Sequence, residues 1–130
     1  MLGLSTILFL IAGSILVMIH IISLELSLYW KYLWLDIPVH ALGGSVLALC
    51  FFALHDVFPR FPKRLLYPIP VLLLILLISL GWEVYEIGIG IPIEADFEID
   101  TSIDLIMAML GGVVGYVVGY SVSALDIELT

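Results

Sequence analysis

Six ionisable residues stand inside or at the edges of long apolar runs, and they fall into pairs by helical spacing. Asp36 and His40 are four apart, Glu83 and Glu86 three apart, and Asp100 and Asp104 four apart. Each pair therefore shares one face of a helix. Carboxylates with one imidazole suit hard or intermediate divalent cations such as Mg, Mn, Fe or Zn. The candidate cation ligands are His40, Glu83, Glu86, Asp100 and Asp104. His40, Glu83 and Glu86 are the candidate acid or base groups, His40 being the one that titrates nearest neutral pH. Four carboxylates with only Lys31 near their level cannot all stay charged out of water. Such a site must be partly protonated, open to water, or neutralised by a cation.

Plainer readings stand beside this one. Carboxylates at helix ends often sit in headgroup water, and Asp100 with Thr101 and Ser102 is also what a helix N-cap looks like. Glu94, Asp96 and Glu98 read as a solvated loop. His20 reads as a hydrogen-bonded packing residue or as a fifth contributor, Glu25 and Asp36 as interfacial, and His55 and Asp56 as surface groups at the opposite end. No G-x-S-x-G, Walker A, H-E-x-x-H or C-x-x-C pattern occurs, so neither covalent catalysis nor an organic cofactor is indicated.

The elements that must position these residues follow from composition. In 130 residues, 63% are hydrophobic and only 12% charged, and mean hydropathy is +1.26. Soluble domains carry roughly a quarter charged residues, so lipid is the solvent this chain demands. Its net charge of -8 and four basic residues leave no stripe for nucleic acid. The single cysteine, Cys50, lies in an apolar run and reads as a small buried hydrophobe.

A membrane span needs about 20 mostly apolar residues. Four segments qualify, at about 2–28, 37–57, 66–87 and 103–124, and short connections predict antiparallel neighbours. The expected fold is all-α: one domain over 1–130, a polytopic antiparallel bundle of four transmembrane helices. Segment 2–28 carries no Lys or Arg and exceeds the apolar core of a signal peptide, so it is expected to be a retained span. Arg60, Lys63 and Arg64 cluster between the second and third spans, which predicts a cytoplasmic turn and both termini cytoplasmic. The aromatic stretch Tyr29, Trp30, Tyr32 and Trp34 then belongs to the outer interface.

This topology brings the three polar pairs to one level, roughly 5–10 Å below the outer interface at 1.5 Å per residue. Asp104, Ala108, Gly111 and Gly115 follow helical steps, so the carboxylate shares a face with the Gly111, Gly115, Gly119 seam. Such small-residue seams admit a close helix neighbour, here another helix of the chain or a second copy in a homo-oligomer. His40 shares a face with Gly43 and Gly44 in the same way, and close packing is expected of both glycines.

Three motifs in order then carry a resemblance: Asp36 to Gly44, Gly81-Trp82-Glu83 with Glu86, and Asp100-Thr101 with Asp104 before Gly111-Gly112. Together they resemble the YjdF-like small membrane proteins, which are similar in turn to the VanZ-like group. The likeness covers about residues 36–120 and omits the first helix. Ala108 stands where the VanZ-like pattern commonly has Asn, and Glu86 where it often has Gln, so this site is the more acidic. The resemblance implies a four-helix prokaryotic plasma-membrane protein and names no substrate, although some VanZ-like members are linked to glycopeptide-antibiotic resistance.

The expected function is an outward-facing acidic–histidine site that binds a cation or the head of an envelope or lipid substrate, with metal-assisted hydrolysis the reaction class if it is an enzyme. A proton- or cation-coupled transport component is the second reading. A scaffold without chemistry is the third.

Overall fold

The computed structural model describes residues 3–58, 60–91 and 96–128; Pro59 of the basic turn and Glu94 lie outside the described residues. Among the described residues, five α-helices occur in the order α1 (Leu4–Glu25), α2 (Leu28–Lys31), α3 (Asp36–Val57), α4 (Pro68–Ile89) and α5 (Phe97–Glu128), with short 3-10 turns before α3 and α4. No strand occurs among the described residues. Four helices are long and apolar enough to cross a membrane: α1, α3 with its preceding turn, α4 and most of α5.

Their polarity is that of a lipid-dissolved bundle. The buried residues of α1 are Ser5, Thr6 and Ser23, whereas Leu10, Ile11, Val17, Met18 and Ile21 are exposed. Water would drive the reverse arrangement; hydrocarbon permits apolar side chains outside and gathers polar ones inside.

α3 is the central element, half of its span being buried. It packs most extensively against α5 and also contacts α1 and α4. The reason is the glycine seam. A methyl group on Gly111 would strike the Ala41 backbone, one on Gly115 the Ser45 backbone, and one on Gly119 the Phe52 ring, all on α3. Ser45 bridges the seam, its hydroxyl donating toward the Ala41 carbonyl at 3.0 Å and the Gly111 carbonyl at 2.8 Å. The seam is therefore filled within the chain, α3 being the close neighbour of Gly111, Gly115 and Gly119. Ala48 of α3 packs with Val71 and Ile75 of α4, and Tyr116 of α5 donates to the Leu66 carbonyl at 3.0 Å.

Pro68 opens α4, where a missing amide donor costs little. Gly90 ends it at φ 74°, and the Ile91 amide turns back to the Glu86 carbonyl at 3.1 Å. This stop places Glu83 and Glu86 in the last two turns. α5 starts at Phe97, six residues earlier than the apolar run alone predicts. Its acidic first turn suits the positive end of the helix dipole, and Asp96 accepts the Glu98 amide at 3.3 Å. Asp96 thus takes the capping role considered for Asp100, and Glu98 lies in the helix rather than in a loop.

At the far end of the bundle, Ser5 and Thr6 both donate to the Asp56 carboxylate, Thr6 at 3.1 Å. Asp56 is therefore a clasp between α1 and α3, not a free surface group. Hydrogen bonds to a charged group are worth about 1.5–3 kcal/mol. Asp56→Ala is accordingly expected to destabilise the detergent-solubilised protein by about 2 kcal/mol, read from chemical unfolding followed by helical circular dichroism.

Candidate functional site

Three helices converge near the end of the bundle opposite the Asp56 clasp. α3 contributes Asp36 and His40 from its first two turns, α4 contributes Glu83 and Glu86 from its last two, and α5 contributes Asp104 from its second. His40 is 5% exposed, Glu83 8%, Glu86 7% and Asp104 3%. Asp36 is half-buried at the rim. The periodicity of α4 explains the inward aim of its glutamates, since Val71, Ile75, Ser79, Glu83 and Glu86 form one buried stripe.

His40 Nε2 stands at the centre. It lies 3.6 Å from Asp36 Oδ1, 3.8 Å from Glu83 Oε1 and 3.5 Å from Glu86 Oε1. None of these is a hydrogen bond, and His40 Nε2, Asp36 Oδ1 and Glu83 Oε1 are buried atoms without a hydrogen-bond partner. Buried polar atoms are normally paired, so three orphans facing one point are a feature to be explained. Two overlapping sets have ligand atoms within 4.8 Å of one another: Asp36, His40 and Glu86, and His40, Glu83 and Asp104.

Outer contacts orient these groups. Thr101 donates to Glu83 Oε2 at 2.9 Å, which leaves Oε1 facing His40. The Trp82 indole donates to Glu86 Oε1. Asp100 lies one turn before Asp104 and belongs to neither set.

Below and beside the cluster lies a cavity of about 300 Å³, walled by Leu16, His20, Gly43, Leu47, Ser79 and Trp82 among others, with His40 in its wall. His20 Nδ1 and the Tyr29 hydroxyl are 3.0 Å apart, and the His20 ring lies edge-on to Trp82, centroids 5.1 Å apart. Tyr29, on α2, is 1% exposed. Burial pushes its phenol up, so it remains protonated.

Of the residues singled out from the sequence, His40, Glu83, Glu86 and Asp104 come together and Asp100 stands a turn away. Two participants were placed elsewhere. Asp36 reads from the sequence as interfacial, although its spacing to His40 puts both on one face. Tyr29 was assigned to the aromatic belt, and nothing in its spacing separates it from Trp30, which is exposed. Gly43 also departs from expectation: Gly44 abuts the Ala108 backbone, but a Cβ on Gly43 meets nothing within 4 Å because it opens on the cavity.

Neither the curated proteins nor the solved structures compared with this chain include a match. One family model does match, over residues 3–124, and its description is that of a predicted membrane protein. The chain, with four spans and a match over nearly its whole length, belongs to that family, DUF2238.

Proposed function

We propose that the protein binds a divalent cation at His40, with the remaining ligands drawn from the two overlapping carboxylate sets, Asp36 with Glu86 and Glu83 with Asp104. The observation that carries this reading is the spacing around His40 Nε2. At 3.5–3.8 Å, its three carboxylate neighbours are too far for hydrogen bonding. Two ligands of a tetrahedral ion at ~2.1 Å lie roughly 3.4 Å apart. The site is thus proportioned for an ion between its members. One nitrogen and several oxygens suit Zn, Mn or Fe, with Mg the harder alternative.

The basic turn at Arg60, Lys63 and Arg64 supports an outward-facing site with both termini cytoplasmic, and the resemblance to the YjdF-like proteins implies the plasma membrane of a prokaryote. A bound cation would polarise a phosphoryl or carbonyl oxygen of a headgroup, and metal-assisted hydrolysis is the reaction class it would serve. A site at that level would lie within reach of an envelope or lipid headgroup. Transport is less favoured, because Ser5, Thr6 and Asp56 at the other end are tied to one another rather than aligned as a relay.

Elemental analysis of the detergent-purified protein tests the reading. Near-stoichiometric Zn, Mn or Fe in the wild type, lost in His40→Ala and Glu83→Gln, is the expected result. Equal metal content in all three proteins, or none in a wild type dialysed against each ion in turn, would overturn it.

A further inference from the structure

The cavity beside His40 has its own physical problem, and its solution names the class of molecule the site takes. Its volume of about 300 Å³ equals on the order of ten waters at roughly 30 Å³ each. Buried water needs two to four polar partners apiece, and this wall offers side-chain polar groups at His20, His40, Ser79 and Trp82, of which the Trp82 indole already donates to Glu86. A void of that size left empty would forfeit its dispersion contacts. An apolar filler is required, and hydrocarbon surrounds the bundle on every side.

The route inward is equally specific. α1 and α4 both pack on α3 but are not closely packed against each other, and the cavity lies between them, with Leu16 and Val17 on one side and Ile78 and Trp82 on the other. A second apolar groove continues from it, sharing Leu16, Val17 and Val46, and follows α1 down to Phe9. From His20 to Phe9 is about 16 Å at 1.5 Å per residue, the length scale of an acyl chain within one leaflet. At its upper end the His20, Trp82 and Tyr85 rings close over the cavity. His40 belongs both to this wall and to the acidic cluster.

We infer that the seam between α1 and α4 holds one hydrocarbon chain of a lipid whose oxyanion head meets the cation at His40. The inference rests on the cation reading for the head but not for the chain. Without a cation, the carboxylates would repel a phosphate or carboxylate head, so loading of the two is coupled. Gly43 supplies the chain's clearance. It faces open space where its neighbour Gly44 is packed against α5, so a large side chain there fills the cavity without striking backbone.

The test is photolabelling in phosphatidylcholine vesicles doped with phosphatidic acid or free fatty acid bearing the same mid-chain diazirine. Val39 and Val46 are buried at 6% and 8% exposure, so lipid around the protein does not reach them; a chain in the seam does. The wild type is expected to be labelled at Val39, Val46 and Leu47 by one or both probes, which tells a phosphate head from a carboxylate one. Gly43→Phe should lose those labels while keeping its metal. Val17→Trp, a change at a lipid-exposed mouth residue, should weaken them without perturbing the core. Labels confined to exposed positions such as Ile11 and Ile106, or inner labels unchanged in both variants, would overturn the inference. His40→Ala separates the two proposals: loss of metal with weakened inner labelling upholds both, loss of metal with full inner labelling overturns the meeting of head and cation, and unchanged metal with retained labelling sinks only the cation reading.

Discussion

Gly111→Ala is expected to destabilise the bundle by about 3 kcal/mol or more, the upper range for overpacking a rigid contact. The added methyl would be driven into the carbonyl group of Ala41, and backbone atoms of α3 have no rotamer by which to retreat. Moving the helices apart would also break the Ser45 bridge to the Gly111 carbonyl. The same substitution at Gly81, where a Cβ meets nothing within 4 Å, should instead raise stability by about 0.5–1 kcal/mol through helix propensity. Unfolding of both variants in mixed micelles, read by helical circular dichroism, checks the contrast. Equal effects at the two positions would refute the account of the seam.

The second large effect is expected at Asp36. Its Oδ1 is buried, unpartnered and 3.6 Å from His40 Nε2. Asp36→Asn should weaken Zn or Mn binding on the order of a hundredfold, about 3 kcal/mol, because it removes a charge and a ligand together. Asp100→Asn should change affinity little, since Asp100 belongs to neither ligand set. Titration calorimetry with each ion decides the matter. A larger loss at Asp100 than at Asp36 would relocate the site toward the start of α5.

These two residues show where reading the chain succeeds and where it stops. Runs of apolar residues announce four spans, because hydrocarbon admits no other long element of that composition. The step from Asp104 through Ala108 to Gly111 and Gly115 gives the inward face of α5 correctly, since a helix fixes which side chains share a side. What spacing does not give is the partner. Whether Gly111 meets Ala41 of its own chain or a second copy depends on packing between elements distant in sequence. Helix boundaries are the other blind spot, uncertain by a few residues in any assignment. Asp36 stands just before the expected start of its span and so reads as interfacial, yet it is the first residue of α3. Asp100 sat before the expected start of the fourth span and was weighed as a cap, yet α5 begins three residues ahead of it. Gly43 and Gly44 look alike in the sequence, and only the position of α5 distinguishes a contact from a clearance.

The pinning of α1 at its two ends carries a further consequence. Ser5 and Thr6 hold one end through Asp56, His20 meets Tyr29 near the other, and between them the helix shows lipid mostly aliphatic side chains. A helix so attached adapts to bilayer thickness by changing its tilt. The stiffer pair of α3 and α5 would keep its geometry while the gap beside α1 widened or narrowed. Membrane thickness would then act as a dial on access to the seam, set by the lipids of whichever bilayer the protein occupies.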